Sequence, residues 1–366
     1  MKIFILAGEP SGDEYGAELM KQMLHKNPEI QFSGIGGALM QKQGLKSMAP
    51  LSKMSIMGFV EIIRNIPFFI KLEQKIVNQL QNNKPDKIIL IDYPGLNLRL
   101  CKKIKSKINI PIIYYISPQI WAWKEQRLKI IKKYVDKMIV IFDFEKKWYK
   151  DRGMNTNYVG HPFLDVWKSG CENLIKKYNI NTNAPILTLF PGSRTQEVKR
   201  HLKLYIESAL QIKKMLPEVQ ILLGLHPNII LNQKIDENIT IIQDMPLKAL
   251  EIATAAIVTS GTATLQAAIM NTPSVIIYKM NKLSWLLTKK LVKVKFASMA
   301  NIIAEELVFP ELLQNKANKK NIILYIKKML IDQKYQYEIQ NKMKSIQNKI
   351  GKSGASKKAA YVILGE

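Results

Sequence analysis

Three observations predict an α/β protein of two domains. Short, continuously apolar runs recur from one end of the chain to the other, as in parallel strands covered on both faces. Amphipathic stretches of ten or more residues separate most of them, the spacing of repeated βαβ units. The chain has 366 residues, more than one ordinary hydrophobic core organises and enough for two domains of usual size.

Strands are expected at 2–7, 30–35, 87–91, 111–116, 137–141, 186–190, 219–224, 255–259 and 274–278. Gly160-His161-Pro162 closes one strand-like stretch and Asn181-Thr182-Asn183-Ala184-Pro185 opens the next. A crossing helix or linker between about 162 and 184 therefore divides two similar halves, taken as domains 1–165 and 166–344. From residue 319 onward the chain reads as Lys-rich helix with no further strand.

The net charge of +26 fits nucleic acid, anionic lipid or phosphorylated small molecules as partners. Lysines are spread along the chain (Lys102, Lys103, Lys105 and Lys107; Lys129, Lys132 and Lys133; Lys289, Lys290, Lys293 and Lys295), and abundant Lys, Ile and Asn point to a general compositional bias as well. Cys101 and Cys171 lack paired spacing, and His25, His161, His201 and His226 lack metal-ligand spacing. Neither a disulfide nor a zinc site is expected, and a reducing cytoplasm is the default. The chain enters its first strand at Lys2 without a cleavable signal pattern, and no uninterrupted apolar run reaches the roughly 18–20 residues of a membrane span. A soluble or peripheral protein is expected.

In doubly wound sheets ligands bind beyond the carboxyl ends of the strands, so the loops there carry the candidates. The first strand runs into Gly8-Glu9-Pro10-Ser11-Gly12-Asp13, with a helix expected from near Glu14. This is either a tight turn capped by Asp13 or a polar-substrate loop at a helix N-terminus. It lacks the G-x-G-x-x-G pattern of dinucleotide sites. Gly34-Ile35-Gly36-Gly37 follows the second strand and reads equally well as a simple turn. Asp92 ends the run Lys87–Asp92 and precedes Tyr93-Pro94-Gly95-Leu96-Asn97. A carboxylate so placed either caps a turn or, partly desolvated, takes a proton from a hydroxyl. The stretch Ser117-Pro118-Gln119-Ile120-Trp121-Ala122-Trp123, followed by Lys124 and Arg127, offers aromatic walls and cations to a sugar and its phosphate, or else pins a loop into the core.

In the second half, Pro191-Gly192-Ser193-Arg194 precedes a helix expected from Thr195, and Ser260-Gly261-Thr262-Ala263-Thr264-Leu265-Gln266 follows another strand. Backbone N–H groups at helix starts, with one guanidinium, form a diphosphate site. No Asp-x-Asp motif is present to hold a metal on that diphosphate, so its charge falls to Arg194 and the helix N-termini. Residues 54–72 are unusually apolar, with Glu61, Arg64 and Pro67 excluding a span. They form either a core helix or a face that meets acyl chains or the bilayer.

Taken in order, these motifs resemble the lipid-A-disaccharide synthase family over essentially the whole chain. The stretches that carry the likeness are GEPSGD at 8–13, IGG at 35–37, MG at 57–58, IDYPGLN at 91–97, SPQIWAWK at 117–124, GHP at 160–162, PGSR at 191–194, SGTATL at 260–265, Asn301 and PELLQ at 310–314. The resemblance implies a B-type glycosyltransferase fold: two Rossmann-like, doubly wound domains facing a cleft, with the C-terminal helix, about 345–366, returning to the first. It implies UDP-2,3-diacylglucosamine as donor, 2,3-diacylglucosamine 1-phosphate as acceptor, a β-1′,6-linked product by inversion, no cofactor, and peripheral association with the inner face of the cytoplasmic membrane. Asp92 is then the base, or a group that only orients the acceptor hydroxyl. Arg194, Gly192, Ser193 and the 260–264 helix start hold the diphosphate, and Asn301, Glu311 and Gln314 complete the nucleotide site. Glu9, Ser11, Gly12, Asp13, Gly36, Asn97, Ser117, Gln119, Trp121, Trp123 and His161 line the rest. One departure stands out: such enzymes usually carry Glu where this chain has Gln266, and a Gln carbonyl accepts a ribose hydroxyl without charge assistance. Rival readings are another UDP-sugar enzyme of the same fold, such as a UDP-N-acetylglucosamine 2-epimerase, and a basic nucleic-acid-binding protein.

Overall fold

A computed structural model describes residues 1–54, 65–231, 233–281, 285 and 294–365. The chain forms two compact units, Met1–Trp167 with Ile350–Glu366, and Lys168–Lys349. Most of the apolar segment 54–72, and the Met57-Gly58 pair within it, lie outside the described residues.

The first unit begins with β1 (Lys2–Ala7), α1 (Pro10–Lys26), β2 (Gln31–Ile35), α2 (Ala38–Lys42) and β3 (Lys46–Ser47). It continues through α3 (Ile66–Asn83), β4 (Lys87–Ile91), α4 (Pro94–Lys105), β5 (Ile112–Tyr115), α5 (Leu128–Tyr134), β6 (Lys137–Val140), α6 (Asp143–Lys150), β7 (Asn157–Tyr158) and α7 (Phe163–Val166). The strands form one sheet in the order β3-β2-β1-β4-β5-β6-β7, every pair parallel. Central strands have no solvent face: Ile3–Ala7 and Ile88–Ile91 are buried throughout, which is why their sequences are apolar without alternation.

The order reverses between β1 and β4, so the loops leaving these two strands diverge and open a crevice. Helix α1 starts at Pro10, four residues earlier than the sequence suggests, with proline at its first position where the missing N–H costs nothing. Asp13 is therefore not the cap of its own helix. Its carboxylate instead accepts the backbone N–H groups of Gly37, Leu39 and Met40 at 2.7, 3.1 and 3.1 Å, capping α2 across the fold. Two glycines of the second cluster follow from this packing: a Cβ on Gly37 would lie 2.4 Å from the Asp13 carboxylate, and one on Gly34 1.9 Å from the Ile5 carbonyl. Asp13→Ala strands three amides near a buried helix start. It is expected to destabilise the protein by about 2–4 kcal/mol in urea unfolding.

The last helix, α15 (Ala355–Leu364), belongs to this unit. Asp165 caps its start through the Gly354 and Ser356 N–H groups at 2.5 and 2.6 Å. Lys87 and Lys137 donate to its final carbonyls at Ile363 and Val362 at 2.6 and 2.8 Å, where the helix dipole favours positive charge.

The second unit contains α8 (Glu172–Tyr178), β8 (Ile186–Phe190), α9 (Thr195–Met215), β9 (Gln220–Gly224), β10 (Ile239–Ile242), α10 (Pro246–Glu251), β11 (Ala255–Thr259), α11 (Thr262–Ile269) and β12 (Ser274–Tyr278). It closes with α12 (Met299–Ala304), β13 (Glu311–Leu313), α13 (Lys319–Ile331) and α14 (Gln333–Ile350). Its parallel sheet runs β10-β9-β8-β11-β12-β13, so the same reversal falls between β8 and β11. The strands not expected from sequence are β3, β7, β10 and β13. Two have only two residues, β13 has three, and β10 buries only its two ends, Ile239 and Ile242. None presents an unbroken apolar run. The stretch 162–184 holds the short helices α7 and α8 rather than one crossing helix. Among the described residues no helix is long and apolar enough to cross a membrane.

Candidate active site

Asp92 follows the last residue of β4, beside the loop that leaves β1, since Ala7 pairs with Ile91. Asp92 and Tyr93 both have left-handed backbones, at φ 43° and 45°, a conformation that non-glycine residues adopt at a cost and keep only when neighbours enforce it. The enforcing bonds are present. The Asp92 N–H donates to the Tyr115 carbonyl at 2.9 Å. Its own carbonyl accepts the Asn97 amide at 2.7 Å and the Tyr114 hydroxyl at 2.5 Å. Asn97, fully buried, also reaches the Ile91 carbonyl at 3.2 Å. Asn97 thus acts by holding the strained turn that aims Asp92. The Tyr93 ring packs against Gly8 so closely that a Cβ there would lie 2.4 Å from it.

The Asp92 side chain is half-buried. Burial first, and then the Glu9 carboxylate, push its carboxyl up to about 7, the range of a working general base. With Ile116, Ser117, Gln119, Trp123 and Glu145 it lines a cavity of about 180 Å³. Trp123 is 41% exposed, with the Lys124 ammonium 4.2 Å and the Arg127 guanidinium 5.9 Å from its ring. Trp121 is buried and donates its indole N–H to Glu145 at 3.0 Å. Ser117 is buried against the Tyr149 hydroxyl at 2.8 Å. His161 packs between Tyr15 and Phe142 and accepts the Phe163 N–H at 3.2 Å. Its burial lowers the imidazole to about 4, leaving it neutral.

Of the remaining candidates in this unit, Glu9 and Ser11 are partly exposed at the start of α1, while Gly12 is buried against Ala7. Gly36 is buried at the end of β2, its N–H facing the Ser47 hydroxyl at 3.4 Å. Sequence reasoning missed Glu145. The available signal was its place as the third residue of α6, where a glutamate reaches back to its own helix start. Nothing local announces that the side chain is buried.

In the second unit, the loops after β8 and β11 again leave from the reversal. Gly192 has φ 119°, and a Cβ there would meet the Glu197 carboxylate at 2.5 Å. Arg194 stands at the cap of α9, 41% exposed, and donates to Glu197 at 3.0 Å. Ser193 is exposed beside it. Gly261 and Thr262 are exposed at the start of α11, whereas Thr264 turns inward to the Gly261 carbonyl at 2.8 Å and Ser260 to the Ala297 carbonyl at 2.8 Å. Gln266 is half-buried on α11.

Asn301 is buried and fully engaged. Its amide donates to the Phe309 carbonyl and to Glu311, both at 2.8 Å, and its oxygen accepts Val308 and Phe309 N–H groups. Glu311 also accepts the Ala297 and Ser298 N–H groups at 2.8 Å. These two residues shape the 297–311 loop pair. Gln314 sits at φ 51°, its amide nitrogen buried without a partner among the described residues. His201, absent from the sequence-based candidates, is wholly buried on α9 and accepts the Lys279 N–H at 3.1 Å, pinning the exit of β12.

The family model described as lipid-A-disaccharide synthetase matches residues 3–363. The chain belongs to this family. A lipid-A-disaccharide synthase of Coxiella burnetii (strain CbuG_Q212) is 35% identical over 366 residues, covering 99% of this chain and 97% of the relative. One from Trichlorobacter lovleyi is 35% identical over 371 residues, with the same coverages. Solved structures show the fold. A UDP-GlcNAc 2-epimerase from Neisseria meningitidis aligns over 100% of both chains with TM-score 0.69 at 16% identity. The calicheamicin glycosyltransferase CalG4 aligns over 100% of this chain and 98% of its own with TM-score 0.60 at 12% identity. A member of the lipid-A-disaccharide synthetase family is a glycosyltransferase of lipid A biosynthesis on a B-type α/β fold, and this chain is one.

Proposed function

We propose that this enzyme transfers 2,3-diacylglucosamine from UDP-2,3-diacylglucosamine to the 6-hydroxyl of 2,3-diacylglucosamine 1-phosphate, releasing UDP and the β-1′,6-linked disaccharide 1-phosphate. The observation that carries the reading is Asp92, held by a strained turn at the first sheet's reversal with its carboxyl pushed up to about 7. An α-linked donor giving a β product requires inversion at C1 in a single displacement. As the acceptor oxygen forms its bond to C1, its proton passes to Asp92, and the bond from C1 to the diphosphate oxygen breaks with its electron pair leaving on UDP. Arg194, Ser193 and the starts of α9 and α11 supply positive potential to that departing charge. The unpartnered Gln314 amide is a donor for the nucleotide. Lys124 and Arg127, beside Trp123 at the Asp92 cavity, are the cations for the acceptor phosphate.

Peripheral binding at the inner face of the cytoplasmic membrane is part of the same proposal. It is supported by the net charge of +26, since anionic lipid attracts each nearby Lys or Arg by about 1 kcal/mol. Ile66 and Ile70 on α3, each 44% exposed, add apolar surface. The test is purified protein with both substrates in detergent and EDTA. Disaccharide 1-phosphate and UDP in equal amounts are expected, and chelation is expected to leave the rate unchanged. Absence of product from folded protein overturns the substrate assignment, and loss of product only under EDTA overturns the metal-independent mechanism.

A further inference from the structure

Helix α9 buries Val198, Leu202, Tyr205, Ala209 and Ile212 along one stripe. His201 stands on the same stripe and is 0% exposed, at a place where an apolar side chain would need no polar partner. Its ring is instead engaged at the exits of two neighbouring strands. Nε2 accepts the N–H of Lys279, the residue after β12, at 3.1 Å. Nδ1 approaches the hydroxyl of Thr259, the last residue of β11, at 3.5 Å, and that hydroxyl bonds the Tyr205 hydroxyl at 2.8 Å. The preceding helix residue, Arg200, donates to the Lys279 carbonyl at 3.1 Å. Both polar groups of the Lys279 backbone are therefore held by consecutive residues of α9.

The elements joined in this way flank the helix starts that face the departing diphosphate. Helix α9 begins next to Arg194, about two turns before His201. Ser260 and Gly261 lead from Thr259 into α11, and the Ser260 N–H donates to the Ile277 carbonyl of β12 at 3.0 Å. A shift at the exit of β12 is thereby passed to the start of α11. Burial lowers the imidazole to about 4, so the ring is neutral, and with Nε2 accepting, its proton is on Nδ1.

We infer that His201 is a positioning residue for the nucleotide diphosphate: by clamping Lys279 to α9 beside Thr259, it holds the starts of α9 and α11 in one register so that their N–H groups serve one anion. The inference rests on the reading of those two helix starts, with Arg194, as the diphosphate site.

The experiment is titration calorimetry of UDP with the full chain as wild type, His201→Phe and His201→Gln. Phe keeps the bulk of the ring and leaves the Lys279 N–H without an acceptor, whereas the Gln carbonyl can take that bond. UDP affinity is expected to fall about tenfold in His201→Phe and to return to within about threefold of wild type in His201→Gln, the size of an ordinary coupling between a bond and a site. In the transfer assay the KM for the acceptor is expected to stay unchanged. A folded His201→Phe that melts lower yet binds UDP as wild type does overturns the inference, since the ring then acts in packing alone. If His201→Phe does not fold, hydrogen exchange at the Lys279 amide of the wild type decides, because a bond that strengthens UDP binding is itself strengthened by UDP to the same degree. Exchange slowed about tenfold by saturating UDP supports the clamp, and exchange unchanged by UDP overturns it. Wild type that binds no UDP removes the diphosphate reading together with the inference, whereas a loss of affinity confined to His201→Phe supports both.

Discussion

Asp92→Asn is expected to lower kcat by about 10²–10⁴-fold, the contribution of a positioned general base, measured as disaccharide formed from saturating substrates. Asn keeps the shape of the side chain and the backbone bonds to Tyr115, Asn97 and Tyr114, so the loss reports proton transfer rather than collapse of the turn. In the wild type the carboxyl must be ionised to act. With its proton affinity raised to about 7, kcat/KM is expected to fall about tenfold for each pH unit below that value, and the variant's residual rate to lack this limb. Stability moves the other way. The folded carboxyl titrates above its unfolded value of 3.8, so its favourable contribution is complete below that value and is lost as pH rises through about 7. Asp92→Asn is therefore expected to melt higher than wild type at pH 8 and at the same temperature at pH 3. A variant equally stable at both pH values would show that the Asp92 carboxyl carries no burial cost.

Arg194→Ala is expected to lower kcat by about 10²–10³-fold, as for loss of one donor aimed at developing charge, and to weaken UDP binding in calorimetry. Arg194→Lys restores only part of it, because an ammonium lacks the fork that grips two oxygens at once. The Glu197 carboxylate, 3.0 Å from the guanidinium, holds the fork over the start of α9. An unchanged kcat in Arg194→Ala would move the leaving-group role to the helix starts alone.

The two units, the central strands and the loops at their carboxyl ends were legible because each depends on local pattern. A strand covered on both faces must be apolar at every position, and Ile88 to Ile91 are so in sequence and in burial. Gly192 and Gly261 mark turns with positive φ, readable because few other residues tolerate them. The edge strands lacked that pattern, since an edge or a two-residue pairing needs no apolar run.

The site candidates drew on residue type and loop position, and type alone does not say where a side chain points. Asp13 has the chemistry of a ligand-binding carboxylate, yet its bonds cross 24–27 residues to the start of α2. Asn301 has the chemistry of a nucleotide contact, yet its polar atoms are taken by residues 308–311. Glu145 has the look of an ordinary helix-start glutamate, and only the fold brings Trp121, 24 residues away, to bond it at the wall of the Asp92 cavity.

The sequence by itself determined the parallel α/β layering, the two halves and the strand-end loops, because the periodicity of burial is written residue by residue. Tertiary structure alone decided which carboxylates are buried, which are spent on backbone amides, and how the left-handed turn at Asp92 is held. Desolvation and hydrogen bonding depend on neighbours distant in the chain, and those neighbours exist only once the sheet has assembled.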